Sequence, residues 1–400
     1  MHNKKRIAII FGGQSTEHEV SRFSAQSVIE NLDKSKYDII MIGITKEGNW
    51  LNYNGPIEKI GSGEWEEVAI KLLNNRALSH CHNSEQCDCG NNKFVLDDSE
   101  LDGSINYNSA RSILVASGAE YEGKKIDIVF PVLHGLNGED GTIQGLFELA
   151  GIPYVGCGVL GSAVGMDKAF AKIVFEKEGL PQGKYLAFNK NQFKTDSDKI
   201  IKEIEGNLGY PCFVKPCNSG SSVGVSKARN KKELLDAIDF AGIYDRRILI
   251  EEFINGKEIE CAVLGNDNPD ASTVGEVVPD NEFYDYEAKY GSESTSKVII
   301  PADLPYETIE KIREYAVKAF KVLDCAGLAR VDFFVHKETG KIYINEVNTM
   351  PGFTKISMYP KLWEATGLPY SKLLEKLIDL AIERYLEKSE SRCRREENRG

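Results

Sequence analysis

The chain has 400 residues, 42% hydrophobic and 28% charged, with a formal net charge of −12. That length exceeds what one hydrophobic core fills, so two or three structural units are expected. The acidic balance excludes a general nucleic-acid binder, which needs a basic footprint, and no stretch approaches the roughly 20 apolar residues of a membrane span.

In chain order, the polar start Met1 to Arg6 leads into an apolar run over 7–11 that is too short for the core of a secretory signal. A cytoplasmic protein is therefore expected. A strand over 6–11 is broken by Gly12 and Gly13, and Ala25, Val28, Ile29 and Leu32 then recur at helical spacing. A second strand is expected over 37–44. Strand, helix and strand in this order form a βαβ unit, which implies a parallel sheet. The pattern returns with a buried strand over 126–133, a helix over 142–150 and a strand beginning at 152–155. Between about 74 and 120 the apolar pattern is weak and reads as an insertion.

From about 165 the style changes. A helix over 168–179 precedes strands over 185–188, 210–215, 223–227, 248–254 and 258–264. Asn255-Gly256 reads as a hairpin turn between the last two. A long helix is expected over 306–323, then two strands and a final helix over 370–385. Residues 387–400 are almost all polar and are expected to be disordered. Of nine cysteines, Cys157, Cys212, Cys261 and Cys325 read as small core residues of a reducing compartment. His80, Cys81, His82, Cys87 and Cys89 sit in the insertion. Their one-residue spacings fall short of the usual zinc pattern, so a plain loop is preferred and Zn²⁺ is the alternative.

The most informative local feature is the pair 328–335 and 342–348. If the loop between them is centred on Thr339, Asp332 faces Glu346 and Arg330 faces Asn348, all on one side of a hairpin. Opposed carboxylates destabilise a sheet unless a cation joins them. An all-oxygen set of this kind suits Mg²⁺. The bland alternative is an exposed charged strand face, which the apolar flanks make less attractive.

At this point the sequence resembles a known family. Asp332, Glu346 and Asn348, followed by Thr349-Met-Pro-Gly-Phe-Thr354, resemble the metal-binding signature of ATP-grasp ligases. More narrowly, motifs from Gly12-Gly-Gln-Ser-Thr-Glu-His-Glu-Val-Ser21 to Ile356-Ser-Met-Tyr-Pro360 are similar, in order and spacing, to D-alanine–D-alanine ligases. The resemblance covers nearly everything but the insertion and the tail. It implies an α/β and α+β architecture: an N-terminal Rossmann-like, pre-ATP-grasp domain with a parallel sheet (1–165), then a two-lobed ATP-grasp module (166–257 and 258–386).

It also implies site residues. Lys215-Pro-Cys-Asn-Ser-Gly-Ser-Ser-Val-Gly224 lacks a Walker A pattern, yet its small residues let backbone N–H groups approach phosphate as a nest. In the family this is the loop over the ATP phosphates, with Ser221 and Ser222. Lys168 and Lys215 match the phosphate-contacting lysines. Glu251, Glu252, Phe253 and Ile254 match the adenine-pocket segment, and Glu258 the ribose acid. Glu17 matches the residue that holds the ammonium of the first D-alanine, although a helix-start acid is the bland reading. His134 matches a site histidine. Lys289 and Tyr290 fall in the lid motif Phe283-Tyr-Asp-Tyr-Glu-Ala-Lys-Tyr290, with Tyr290 bonding to Ser221. Arg330 and the Gly352 N–H match oxyanion donors. Ser357 and the Met358 backbone match the clamp on the second carboxylate. The implied metal ligands are Asp332, Glu346 and Asn348, for Mg²⁺ or Mn²⁺ and two ions. The implied partners are ATP, D-alanine and a second copy in a homodimer, with neither nucleic acid nor membrane.

Met358 and the Lys289-Tyr290 pair favour D-alanine as second substrate, with a D-alanine–D-serine ligase as the alternative. A non-catalytic nucleotide-binding regulator is the other alternative. It should have lost a metal ligand or a phosphate lysine, and none is missing.

Overall fold

The computed structural model describes residues 4–72, 120–121, 124–278 and 297–397. The Cys/His pairs of the insertion and the lid residues Lys289 and Tyr290 lie outside them.

The first sheet contains β1 (Lys5–Gly12), β2 (Tyr37–Ile44), β3 (Trp50–Tyr53) and β4 (Ile128–Val132), in the order β3-β2-β1-β4. β1 is parallel to both β2 and β4, as the βαβ pattern requires, and β3 adds an antiparallel edge. Ile7 through Phe11 are fully buried on both faces, which is why β1 reads as an unbroken apolar run. Helix α1 (His18–Asn31) follows β1, and α2 (Thr142–Ala150) follows β4. The strand expected at 152–155 shrinks to a single parallel bridge between Tyr154 and Val129. Pro153, with no N–H to give, cannot extend a ladder there.

Helices α3 (Val159–Met166) and α4 (Lys168–Lys177) lead to a second, fully antiparallel sheet. It orders β5 (Tyr185–Asn189), β8 (Arg247–Glu252), β6 (Cys212–Pro216) and β7 (Ser226–Ala228) as β5-β8-β6-β7. Helices α5 (Lys190–Asn207) and α6 (Lys231–Tyr244) cover it. The third sheet is also antiparallel: β9 (Gly256–Gly265), β10 (Asp270–Val278), β11 (Lys297–Ile299), β12 (Gly327–His336) and β13 (Ile342–Asn348), in the order β11-β10-β9-β12-β13. Helix α7 (Tyr306–Val322) packs on it through Ile312, Ala316, Ala319 and Phe320.

Asn255-Gly256 is not a hairpin turn. Both edges of β8 are taken, by β5 and β6, so β9 has no edge to pair with and crosses to the third sheet. The Gly256 N–H folds back to Ile254 O at 2.9 Å, and Asn255 O accepts from Lys337 N at 3.0 Å. These bonds fasten the crossing between the two sheets.

The chain then returns to the first sheet. α8 (Met358–Ala365) and α9 (Tyr370–Glu397) bury Tyr359, Leu373, Leu377 and Ile378 in the same core as Ile7, Phe11 and Phe130. α9 runs to Glu397, so the tail expected to be disordered is helical at least that far. Residues 386–397 hold no Gly or Pro, and a helix already nucleated by packed turns propagates cheaply through Glu, Lys and Arg. Cys157, Cys212, Cys217, Cys261 and Cys325 are free and buried. Burial pushes the Cys217 and Cys261 thiols up to about 12, which leaves them inert.

Candidate functional site: a cleft between two antiparallel sheets

The second and third sheets enclose a cleft of about 460 Å³. It is lined by Lys168, Lys215, Ser221, Ser222, Glu251 to Ile254, Glu258, Arg330, Asp332, Glu346 and Asn348. Residues far apart in the chain are thus brought to one place.

The hairpin β12–β13 carries the acidic floor. Its register pairs Arg330 with Asn348 and Asp332 with Glu346, the two pairs expected, although the loop itself is centred half a residue before Thr339, with Val335 opposite Ile342. Beyond Asp332 the register shifts at a bulge, and Phe333 faces Ile344. The residue left over is Asn345, whose Oδ1 lies 3.4 Å from Lys215 Nζ. β9 adds a carboxylate that the sequence reading missed: Glu260 is directly opposite Asp332. Glu260, Asp332 and Glu346 therefore form one row across three strands, on one face.

Two protein cations offset this row. Arg330 grips Asp332 with Nε to Oδ1 and one terminal nitrogen to Oδ2, both at 2.7 Å, and its Nε lies 2.9 Å from Glu260 Oε2. Lys168 Nζ lies 3.3 Å from Glu346 Oε2 and donates to Ser219 O at 2.7 Å. Asn348 Nδ2 donates to Asp332 Oδ2 at 2.9 Å, which leaves its amide oxygen as the acceptor. Two carboxylates and an amide oxygen make a hard oxygen set that fits a magnesium-type ion.

The loop from Ser219 to Ser222 lines the same cleft. Ser221 and Ser222 adopt φ of 48° and 61°, a left-handed pair that turns successive N–H groups toward one side. Ser221 Oγ donates to Glu17 Oε1. Glu17 is 6% exposed and ends the loop after β1, so this bond ties the first sheet to the loop that carries Ser221. The backbone passes close to Glu17 twice: a Cβ on Gly220 or Gly135 would lie 2.4 or 2.6 Å from its Oε2. Glu19, the other acid of the motif, is a plain surface partner of Lys46 at 2.5 Å.

Glu251 lines the cleft beside Glu252, Phe253 and Ile254. Its carboxylate sits between two lysines, Lys172 Nζ at 2.6 Å on Oε1 and Lys215 Nζ at 2.5 Å on Oε2. Burial alone raises a carboxyl pKa, but the two lysines outweigh it and bring Glu251 down to about 2. Lys172 was missed by the sequence reading, although it stands one helical turn after Lys168, a spacing that puts both on one face of α4. Asp167 caps that helix by accepting from Ala169 N and Phe170 N, and is held by Arg247 at 2.7 Å. The cap fixes where both lysines point.

The folded pKa of Glu251 lies below its ordinary value of 4.5, so its contribution to stability is full at neutral pH. It is lost as pH falls from about 4.5 through about 2. The expected result is that Glu251→Gln, although less stable near pH 7, loses less stability than the parent across that window. Parallel acid-unfolding curves would contradict this.

Glu252 and Phe253 continue the same wall of the cleft. Glu252 Oε1 accepts from Lys184 N at 2.7 Å, so its side chain braces β5. Phe253 is 39% exposed, tilted against Phe213 at 6.3 Å, with Lys227 Nζ 4.2 Å over its ring. That is an apolar wall with one polar rim, a surface suited to a flat base. Glu258 faces the cleft from β9.

His134 does not line the cleft. Its Nδ1 lies 2.9 Å from Met350 O and its Nε2 3.1 Å from Ser24 Oγ, which also accepts from Phe353 N. One ring nitrogen thus meets the loop that contains Gly352 directly, and the other reaches it through Ser24 of α1. A Cβ on Gly352 would lie 2.9 Å from Ser357 Oγ, so that loop runs close to Ser357. Ser357 Oγ accepts from Thr354 N at 3.0 Å and precedes the first turn of α8. The Met358 side chain is buried in the core against Gly275, which leaves only its backbone for a ligand.

Known families and solved structures match the chain over nearly its whole length. A family model described as the D-ala D-ala ligase N-terminus matches residues 6–157, and one described as the C-terminus matches 174–379. A D-alanine–D-alanine ligase of Ruminiclostridium cellulolyticum is 65% identical over 384 residues, 96% of each chain. One from Acetivibrio thermocellus is 61% identical over 385 residues, 96% of this chain and 98% of that one. Among solved structures, the D-alanine-D-alanine ligase from Coxiella burnetii matches with TM-score 0.77 and 34% identity over 99% of both chains. The VanG D-Ala:D-Ser ligase from Enterococcus faecalis matches with TM-score 0.75 and 40% identity, over 95% of this chain and 100% of that one. With both halves of the chain matched in order, it belongs to the D-alanine–D-alanine ligase family and is an ATP-dependent ligase.

Proposed function

We propose that the chain joins two D-alanines into D-alanyl-D-alanine through a D-alanyl phosphate, releasing ADP and phosphate, for peptidoglycan precursor synthesis. The observation that carries the reading is the row Asp332–Glu346 with Asn348, facing Lys168 and Lys215 beneath the Ser221 loop.

The chain's residues divide the work. Lys168, Lys215 and the backbone N–H groups at Ser221 and Ser222 hold the polyphosphate. Glu17 holds the ammonium of the first D-alanine, and its bond to Ser221 places that carboxylate near the phosphate to be transferred. Asp332, Glu346 and Asn348 hold Mg²⁺ or Mn²⁺, read as two ions, which supplies charge neutralisation when bound. Arg330 and the Gly352 N–H stabilise the oxyanion as the second amino group attacks. Ser357 and the start of α8 receive the second carboxylate; Lys289 and Tyr290, outside the described residues, keep the lid role that the resemblance implies. No covalent enzyme intermediate is needed. His134 acts through the Met350–Phe353 segment that it braces.

A homodimer is part of the reading. Leu149 on α2 and Leu160 on α3, 90% and 58% exposed, are apolar side chains that a second copy would cover. The division at 165 and near 257 has the three sheets and the crossing at Asn255 in its favour.

Gly135→Ala is expected to raise the KM for the first D-alanine by about tenfold to a hundredfold, because the new methyl displaces the Glu17 carboxylate. The KM for ATP should change far less, and the opposite split would move Glu17 out of the amino-acid site. Competition among D-alanine, D-serine and D-lactate as second substrate tests specificity. The expected kcat/KM is highest for D-alanine, and a preference for D-serine would reassign the chain to the variant ligases.

A further inference from the structure

Lys172 is a buried lysine that the proposed reaction does not use. It is 3% exposed and lies on the inward face of α4, with Ala169 and Phe175. A Met or Leu there would pack without the desolvation cost of a buried ammonium. Its ammonium lies 2.6 Å from one oxygen of Glu251, and the other oxygen takes Lys215 at 2.5 Å. Each oxygen thus serves one lysine, and the triad carries two positive charges against one negative.

We infer that Lys172 is a positioning residue for nucleotide binding: it takes up half of the Glu251 carboxylate, so that Lys215 faces the phosphates with a net positive field. This rests on the reading of the cleft as an ATP site. Without Lys172, Glu251 and Lys215 close into a neutral pair. The phosphates must then pull Lys215 from a full, buried carboxylate, where charge interactions are poorly screened. With Lys172, the carboxylate stays satisfied when Lys215 turns toward phosphate. The same triad explains why Glu251 is a carboxylate at all, since it holds two like charges together in the wall of the cleft.

The test uses the full chain and measures the dissociation constant for MgATP by calorimetry, alongside kcat and KM. Lys172→Met is expected to weaken ATP binding and raise its KM by about tenfold, with kcat within about threefold. Lys172→Arg should restore binding, because it keeps the charge. Lys172→Gln, which keeps a hydrogen bond to Glu251 in case the Met variant does not fold, should follow the Met result. In a Glu251→Gln background, removing Lys172 should cost less than about twofold, because no full carboxylate remains to capture Lys215. Wild-type ATP affinity in Lys172→Met or Lys172→Gln would overturn the inference, as would an equal cost of removing Lys172 in both backgrounds, which is the mark of a packing role. If the parent chain itself bound no MgATP, the reading of the cleft as an ATP site would fail first.

Discussion

Glu346→Gln is expected to lower kcat by about a thousandfold or more while the fold persists. The substitution keeps size and shape but removes one charge from the pair that faces Asp332 across β12 and β13. Charge neutralisation of a transferring phosphoryl group is worth several kcal/mol, and each 1.4 kcal/mol is about tenfold in rate. Stability should move the other way or not at all. Glu346 stands in a row with Asp332 and Glu260, so its neutralisation relieves repulsion, although it also releases Lys168 at 3.3 Å. A melting temperature at or above that of the parent, with turnover gone, is the expected pair of results. Near-normal kinetics would mean that the hairpin face is an ordinary charged surface.

Arg330→Ala is expected to lower kcat by roughly a hundred- to a thousandfold, with little change in the KM for ATP. A donor that acts on charge developing in the transition state affects kcat, and removing one such donor typically costs this much. The structure adds a second consequence. Arg330 holds Asp332 by a two-point fork and also meets Glu260, so its loss leaves three carboxylates in a row. The Ala variant should therefore be less stable, and Glu260→Gln should restore stability without restoring kcat. Arg330→Lys should fall between, since a lysine keeps the charge but not the fork. Steady-state kinetics and thermal unfolding check both parts, and a change confined to KM would contradict the oxyanion role.

Much of this site is legible in the amino-acid sequence. That Asp332 and Glu346 face each other on one hairpin is legible from the short loop and the alternation, but the pairing is reached through a bulge, since nearer the loop Phe333 pairs with Ile344 and Val335 with Ile342, one residue away from the alternation expected around Thr339. The bulge at Asn345 is not legible, because a bulge changes the count on one strand without a mark in composition. Lys172 is hidden by its own neighbours: in a helix read for its apolar stripe, a lysine on the inward face passes for a surface residue. Glu260 escapes notice although it stands two positions after Glu258 on the same strand face, since nothing in one strand tells that another carboxylate lies opposite.

The crossing at Asn255-Gly256 shows the limit of turn signals. The dipeptide permits a tight turn, but whether two strands pair depends on which edges other strands have already taken. Helix α5 has no counterpart among the expected elements. Of its 18 residues only Ile201 and Ile204 are buried, too few for an apolar stripe to show. His134 is legible as a residue near the site, but its partners Met350 and Ser24 come from distant segments. Its place beside the Gly352 loop is a product of the assembled fold.

The most direct test supplies MgATP and D-alanine whose carboxylate is labelled with oxygen-18, and follows ADP, phosphate and dipeptide together. One D-alanyl-D-alanine per ADP, with one labelled oxygen carried into the phosphate, is the predicted result, because the first carboxylate is phosphorylated before the second amine attacks. ADP formed without dipeptide, or dipeptide formed with unlabelled phosphate, would contradict it.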